Sequence, residues 1–358
     1  MEEIGRKRLA AAVAVFAGIV YFLVCAFPLR RQFALAPVWA RDLAAAPQAP
    51  GASPAPGKTA HPFRMGSGFG YFDEGGTILF AAPAPYGVAM AGDGFAAYDR
   101  LSSGFVVRSP SGAELSKSSL PGYPFFAAGR RFVLAPDQCG VAELAPDGSA
   151  RWRRQFGSVI TAFGAGASLA AFGLMDGSLV GIGPGGEELL SFAPSGSRLP
   201  GIFGAAVSPD GNLVAAVSGL DKQRLVVLEK RSSAYRVTYH RWLESDFRRP
   251  VAMDFSGDGK RLVYEAPRGV AVYDRDARME SLIAAEPYGR LGERLEGSRM
   301  LLLLAGRGLD KRLVCASPED RRLVDLPIRA ADAFLESSGR SLFLGMDAEL
   351  VRLDLREE

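Results

Sequence analysis

The sequence feature that most constrains the fold is a tight turn followed by a short apolar strand, which recurs along the chain after residue 85. Its clearest copy is residues 208–218, where Ser-Pro-Asp-Gly-Asn precedes Leu-Val-Ala-Ala-Val-Ser. Pro209 and Asp210 favour the start of a turn, and Gly211 supplies the positive φ that other residues resist. The run after the turn is too apolar to face water on both sides, so it predicts a buried strand.

Seven such turns follow one another at nearly regular intervals. Their glycines lie 35 to 48 residues apart, which is close to the spacing of about 40 to 45 residues that is typical of a four-stranded propeller blade. These glycines are Gly94, Gly129, Gly166, Gly211, Gly259, Gly297 and Gly339. One hairpin cannot bury its own faces, so the repetition predicts sheets that pack on one another.

A further strand-like run follows each turn strand at a consistent offset, as 225–228 follows 213–217. The seventh repeat ends at Glu358 directly after this run, so it lacks an outermost strand of its own. We expect the strand-like residues 69–80 to supply that strand, because closure removes the exposed edges of an open array. The predicted fold is all-β, a seven-bladed β-propeller over residues 63–358, with six or eight blades as alternatives.

The turn sequences resemble those of WD-repeat and PQQ-like β-propellers over about residues 69–358. Residues 208–211 (Ser-Pro-Asp-Gly) and 256–260 (Ser-Gly-Asp-Gly-Lys) look like the hairpins of WD-type blades. Residues 145–152 look like the Asp-Gly and Trp ending of a PQQ-like repeat. The resemblance implies the propeller fold and transfers no functional residue to this chain.

The N-terminal residues predict a membrane anchor followed by a spacer. Residues 1–8 end in Arg-Lys-Arg and predict a short cytoplasmic tail, whereas the next 19 residues carry no charge and can just cross a hydrocarbon core of about 30 Å as a helix. We expect one transmembrane helix or signal anchor over 9–28 and a Pro/Ala-rich linker over 29–62. A signal peptide cleaved near Cys25 is the alternative, and a lipoprotein-type Cys25 fits the neighbouring residues less well.

The composition argues against several functions. A net charge of +3 is too small to indicate nucleic acid as a partner. The two histidines, His61 and His240, belong to no cluster with metal-ligand spacing, and we expect His61 to be a solvated loop residue. Cys139 and Cys315 are expected to be unpaired, as small apolar fillers. We predict no catalytic, cofactor-binding or metal-binding residue and no cofactor, and we do not expect an enzyme.

Aromatic and arginine residues in the fourth repeat form the candidate binding site. Tyr235, Tyr239, Arg241 and Trp242 lie in an alternating stretch that predicts the outer strand of this repeat. Such residues are enriched in protein-interface hot spots, although a packed sheet edge explains the same composition.

These observations together predict where the protein works and what it binds. We expect a single-pass protein of the inner membrane whose propeller lies on the periplasmic side. Its predicted role is a binding or scaffolding platform for another envelope or membrane protein. The alternative is a ligand-binding or enzymatic propeller, similar to quinoproteins, that uses its central channel.

Overall fold

The computed structural model describes residues 15–16, 21, 33–43, 59–66, 68–84, 86–100, 102–285, 291–294, 301–317 and 321–357. Three of these residues, Val15, Phe16 and Tyr21, are helical, and the other regular structure consists of 31 strands. Within this part of the chain the strands form eight antiparallel sheets. The all-β class and the propeller architecture predicted from the repeats are therefore confirmed.

The first four sheets, numbered along the chain, contain strands β2 to β16. Sheet 1 contains β2–β4 (Ala60–Met65, Gly68–Asp73, Ile78–Pro83) and sheet 2 contains β5–β8 (Gly87–Ala91, Gly94–Tyr98, Phe105–Arg108, Glu114–Ser118). Sheet 3 contains β9–β12 (Tyr123–Ala127, Arg130–Leu134, Gly140–Leu144, Ala150–Gln155) and sheet 4 contains β13–β16 (Ile160–Ala165, Ala170–Leu174, Leu179–Ile182, Glu188–Phe192).

The other four sheets contain the remaining strands of the chain. Sheet 5 contains β17–β20 (Ile202–Val207, Leu213–Ser218, Arg224–Arg231, Ala234–Trp242) and sheet 6 contains β21–β24 (Met253–Phe255, Arg261–Ala266, Gly269–Asp274, Met279–Ala284). Sheet 7 contains β25–β28 (Leu291–Arg294, Leu301–Arg307, Asp310–Ser317, Arg321–Arg329), and sheet 8 contains β29–β31 (Ala333–Ser338, Ser341–Met346, Glu349–Glu357) together with β1 (Phe33–Asp42).

The eight sheets close into a ring through their faces. Among the described residues, eight clusters of buried apolar side chains fill the eight gaps between consecutive sheets. In the gap between sheets 8 and 1, Phe63 and Phe72 pack on Phe334 and Phe343. The first strands of neighbouring sheets lie side by side, so they form the inner wall of a disc.

The number of blades differs from the sequence prediction. Each of the seven sequence repeats forms one sheet, in which the turn strand is the second strand and the following run is the third. The prediction of seven blades is wrong, because residues 60–83 form a separate, three-stranded sheet 1. Residues 69–80 therefore do not complete the last repeat, contrary to the prediction from the sequence.

The strand that completes sheet 8 is β1. It pairs antiparallel with β31, from Phe33 opposite Glu357 to Asp42 opposite Glu349. Phe33 and Leu35 pack between sheets 7 and 8, and the side chains of Trp39 and Leu43 pack between sheets 8 and 1. The two ends of the propeller are thus joined in one sheet, with a donor strand that comes from the predicted linker.

The predicted N-terminal organisation is also corrected. The transmembrane helix expected over residues 9–28 falls almost wholly outside the described residues, and the described part of the chain contains no helix long and apolar enough to span a bilayer. Residues 33–42 and 60–62 of the predicted linker lie in β1 and β2. Linker residues 44–58 lie outside the described part.

The repeated turn has the geometry that its residues predict. In the turn between β17 and β18, Gly211 has a φ of +80° and its amide donates to the carbonyl oxygen of Ser208 at 2.8 Å. The Asp210 carboxylate accepts from the amide of Asn212 at 3.0 Å, and the Ser208 hydroxyl accepts from the amide of Leu213 at 2.8 Å. Side chains thus satisfy the backbone donors at the base of the buried strand.

Two further sequence predictions concern single residues. His61 is not a solvated loop residue: it lies on β2 and is 2% exposed. Its ring is enclosed because β2 is an inner strand that packs on sheet 8. Cys315 is buried in the cluster between sheets 7 and 8, as an apolar filler should be, whereas Cys139 is only half-buried.

Candidate functional site

The four predicted binding residues all lie on β20, the outermost strand of sheet 5. Two of them contact sheet 6 directly. Tyr239 stacks on Tyr273 with ring centroids 4.0 Å apart, and its hydroxyl lies 3.3 Å from a carboxylate oxygen of Glu280. Arg241 forms an ion pair with the same carboxylate. These two side chains therefore join neighbouring sheets.

Burial governs the protonation of this tyrosine group. It raises the pKa of Tyr239, and the Glu280 carboxylate raises it further. The pKa of Tyr264, on β22, is raised by burial and then by Glu280. Both phenols therefore stay protonated at neutral pH and can donate to Glu280.

Tyr235 and Trp242 have different surroundings. The Tyr235 hydroxyl donates to the carbonyl oxygen of Gly211 at 2.7 Å, so this ring covers the repeated turn of its own sheet. The Trp242 ring lies under the guanidinium of Arg224 at 5.3 Å and against Gly196, where an added Cβ would lie 2.5 Å from the indole. Trp242 nevertheless remains 46% exposed. It is the member of the predicted set that is most open to a partner.

A group of exposed apolar side chains lies beside Trp242. Val159, Met175 and Leu199 are 37%, 47% and 55% exposed. They belong to the connection between β12 and β13, the turn between β14 and β15, and the connection between β16 and β17. We call Val159, Met175, Leu199 and Trp242 the loop patch.

Direct contacts link the segments that carry the loop patch. The amide of Met175 donates to the carbonyl oxygen of Val159 at 2.9 Å. A Cβ added at Gly201, two residues after Leu199, would lie 3.2 Å from the carbonyl oxygen of Met175. Arg224, which covers Trp242, donates to the carbonyl oxygen of Ser195 at 2.9 Å. In an antiparallel four-stranded sheet these connections all leave the same end, so the patch occupies one face of the disc.

Polar residues surround the loop patch. The Ser197 hydroxyl donates to the Asp221 carboxylate and, as the largest influence, lowers the pKa of Asp221 to about 2. The guanidinium of Arg198 lies 3.8 Å from the same carboxylate, and Asp176 is exposed beside Met175. An apolar centre with a charged rim is typical of surfaces that bind other proteins.

The metal-ligating and titratable side chains of the described residues have varied surroundings. In this part of the chain no group of three or more His, Cys, Asp and Glu side chains could hold a metal ion. The buried Glu143 carboxylate forms an ion pair with Arg130 at 2.5 Å. It also accepts a hydrogen bond from the Trp152 indole at 2.8 Å. His240 is exposed on β20.

Three members of the loop patch, Val159, Met175 and Leu199, were not predicted from the sequence. Met175 stands directly before Asp176-Gly177, and Leu199 stands directly before Pro200, in segments where polar residues are usual. A large apolar residue in a turn is the signal that could have found them. Their grouping on one face follows only from how the sheets are arranged around the ring.

Comparisons with known proteins agree with this architecture. The chain is 29% identical over 344 residues to a Treponema pallidum (strain Nichols) protein described as "Uncharacterized protein", covering 94% of this chain and 91% of the relative.

Two solved structures share the fold. BamB from Moraxella catarrhalis superposes with a TM-score of 0.60 at 12% identity, over 90% of this chain and 100% of BamB. The computationally designed Ika8 protein superposes with a TM-score of 0.61 at 13% identity, over 84% of this chain and 96% of Ika8. The chain belongs to the family described as beta-propeller protein, which it matches over residues 1–358.

Proposed function

We propose that this propeller is a protein-binding platform and that the loop patch is its docking surface. The observation that carries the proposal is the grouping of four exposed apolar side chains, Val159, Met175, Leu199 and Trp242, on touching segments of one face. The fold supplies a rigid support, because each of these segments is anchored to strands with buried cores. The charged rim at Arg198 and Asp221 would orient the bound partner and select it by charge.

We further propose that the platform works in the cell envelope, on the extracytoplasmic side. This location rests on the N-terminal sequence, in which three basic residues precede 19 uncharged ones. The partner would then be another envelope or membrane protein. Protease added to intact spheroplasts should digest the propeller, whereas survival until the membrane is opened would place it in the cytoplasm.

The quinoprotein-like alternative has no comparable support. Quinoproteins of this shape require charged and metal-ligating residues that converge near the axis. The described residues contain no such metal-ligating group. We therefore give protein binding as the function that the geometry favours.

The proposal is tested by photo-crosslinking in the native cell. A benzophenone amino acid at Leu199 or Met175 should give the same discrete adduct, because both residues would lie under one partner. The matched control is Met279, which is 69% exposed at the start of β24. The start of an outer strand lies at the opposite end of its sheet, so Met279 should not give this adduct. Adducts from all three positions alike, or from none, would contradict the proposal.

A charge substitution provides the second test. The double variant Met175→Glu and Leu199→Glu should fold normally, since both side chains are exposed. It should lose most of the crosslinking from a benzophenone at Val159. Met279→Glu is the control and should keep it.

A further inference from the structure

The direction of β1 fixes the face of the disc at which the chain enters the propeller. Its first residue, Phe33, pairs with Glu357. A few residues further along the ladder, Ala36 lies opposite Asp354, and Asp354 lies opposite Ser341, the first residue of β30. Phe33 therefore lies at the end of sheet 8 that carries the turn between β29 and β30. We call the face of the disc at this end the entry face.

Contacts between the sheets trace the entry face from sheet 8 to sheet 2. The hydroxyl of Ser338, the last residue of β29, donates to the carboxylate of Glu74, which directly follows β3, at 3.3 Å. On β3 the Tyr71 hydroxyl donates to the carbonyl oxygen of Ala91, the last residue of β5, at 2.7 Å. The turn between β5 and β6 therefore lies on the same face as the turn between β29 and β30.

Two further contacts trace the entry face to sheet 4. Asp93, in the turn between β5 and β6, pairs with Arg131 on β10 at 2.6 Å. The neighbouring Arg130 donates to the carbonyl oxygen of Gly166, which directly follows β13, at 3.3 Å. The turn between β13 and β14 thus also lies on the entry face.

The loop patch lies on the opposite face and across the ring. Val159 directly precedes β13 and Met175 directly follows β14, so both stand at the ends of these strands that are remote from Gly166. In the ring, sheets 1, 2 and 3 separate sheet 4 from sheet 8 on one side, and sheets 5, 6 and 7 separate them on the other. The loop patch is therefore separated from Phe33 both through the thickness of the disc and across its width.

The residues before β1 limit how the disc can be placed at a membrane. At the proposed location the uncharged residues 9–27 would attach the chain to the bilayer, and only residues 28–32 separate them from Phe33. This connection reaches at most about 20 Å when it is extended. The ten residues of β1 span about 30 Å from one face of the disc to the other. The connection is thus too short to let the face with the loop patch rest on the bilayer.

Tilting the disc does not change this result. The loop patch lies across the ring from sheet 8, so a tilt that lowers the patch towards the bilayer raises Phe33 further from it. In every orientation that brings the patch to the lipid surface, Phe33 would be at least the length of β1 away from that surface, beyond the reach of residues 28–32.

We propose that the loop patch faces away from the membrane and receives a water-exposed domain of its partner, not a membrane-embedded segment. The inference rests on the proposed function and deepens it, because it names the part of the partner that docks. An apolar centre beside the ion pair of Arg198 and Asp221 suits an interface whose rim stays in contact with water.

The first experiment measures energy transfer from the full-length chain, reconstituted in vesicles, to a lipid with an acceptor dye on its headgroup. In a chain whose three natural cysteines are replaced by alanine, a donor dye is attached at Arg356→Cys or at Leu199→Cys. Arg356 is exposed and lies opposite Ala34, near the entry face. Transfer should be severalfold more efficient from position 356. Equal transfer, or stronger transfer from position 199, would overturn the proposal.

Flotation of the same samples separates this proposal from the proposed function. A chain that does not float with the vesicles contradicts the proposed envelope location, and the orientation with it. A chain that floats but transfers more strongly from position 199 contradicts the orientation alone.

A longer connection provides the control. A forty-residue glycine-serine spacer between residues 31 and 32 has a mean end-to-end distance of about 35 Å, which exceeds the length of β1. The spacer should reduce the difference in transfer between the two positions, because the disc can then turn over. An unchanged difference would show that the connection does not orient the disc, and the proposal would be wrong.

The second experiment identifies the part of the partner that docks. The adduct that a benzophenone at Leu199 forms in cells is digested, and the joined peptides are identified by mass spectrometry. The partner peptide should come from a water-exposed domain. A peptide from a membrane-spanning segment, or an adduct that joins this chain to itself, would overturn the proposal.

Discussion

The ring of His61 lies 4.6 Å from the ring of Phe343, centroid to centroid, across the gap in which the propeller closes. His61 belongs to sheet 1 and Phe343 to sheet 8, and the His61 Nε2 has no hydrogen-bond partner in the described part of the chain. Burial lowers the pKa of His61, an effect that Glu74 and Asp73 oppose and Arg352 reinforces. The closing interface therefore favours a neutral imidazole.

This contact predicts that acid weakens the closed ring. The unfolded chain binds a proton at His61 as the pH falls through about 6.5, whereas the folded chain resists it because the folded pKa is lower. The contribution to stability is therefore complete above pH 6.5 and declines below it, by no more than about 1.4 kcal/mol per pH unit. Urea unfolding from pH 7.5 to 5 measures this slope. His61→Phe should reduce it, and an identical slope in the variant would contradict the assignment.

The buried carboxylate of Glu143 is expected to be important for stability. It accepts from Arg130 at 2.5 Å and from the Trp152 indole at 2.8 Å, and the side chains of both ion-pair partners are nearly inaccessible. Glu143→Gln should lower the free energy of unfolding by about 3 kcal/mol, because Arg130 would be left buried without its counter-charge. The measurement is denaturant unfolding.

A more exposed ion pair, which joins sheets 2 and 3, provides the control. Arg131 pairs with Asp93 at 2.6 Å, but the Asp93 side chain is 61% exposed. Asp93→Asn should therefore cost less than about 1 kcal/mol. Equal losses in the two variants would show that burial does not distinguish these pairs.

Two residues of β20 should separate stability from binding. Tyr239→Ala removes the ring stacked on Tyr273 and should lower the free energy of unfolding by about 2 kcal/mol. Trp242→Ala should cost less than about 1 kcal/mol, because much of the indole is exposed, yet it should weaken crosslinking from Leu199. Thermal unfolding and crosslinking of both variants test this division, and the reverse pattern would assign the binding role to Tyr239.

The inner wall of the disc should not tolerate larger side chains. A Cβ added at Gly164 on β13 would lie 2.7 Å from the Cα of Ala206 on the next inner strand. Gly164→Ala should therefore destabilise the protein by about 2 kcal/mol. Gly157→Ala is the matched control, because a Cβ there would meet no atom within 4 Å. A difference in thermal unfolding between the two variants is the expected result.

The repeats could be recognised in the sequence because their signal is local. Turn residues such as Asp210 and Gly211 satisfy hydrogen bonds within a few residues of themselves, so the pattern can be read without knowledge of the ring. The same reasoning located β20 and its aromatic residues. It could not show that Tyr239 and Arg241 contact Glu280, since that contact joins two sheets.

The blade count was missed because sheet 1 and β1 lack the repeated signal. Sheet 1 turns at Glu74-Gly75-Gly76, but it has only three strands and does not match the four-stranded unit. β1 contains Pro37, which is tolerated because the strand lies at the outer edge and bulges after this residue. Both features make the residues before sheet 1 resemble a linker. For the same reason His61, which lies on β2, was predicted to be a solvated loop residue.

The ring of eight sheets closes only if β1 completes sheet 8, and disulfide formation tests this most directly. In a chain whose three natural cysteines are replaced by alanine, Ala40→Cys is combined with Val351→Cys, since these residues face each other in the ladder. Mild oxidation of the folded chain should join this pair, detected by mass spectrometry, and should not join Phe80→Cys to Val351→Cys. A disulfide in the second variant but not in the first would show that another segment completes sheet 8, contradicting the eight-sheet ring.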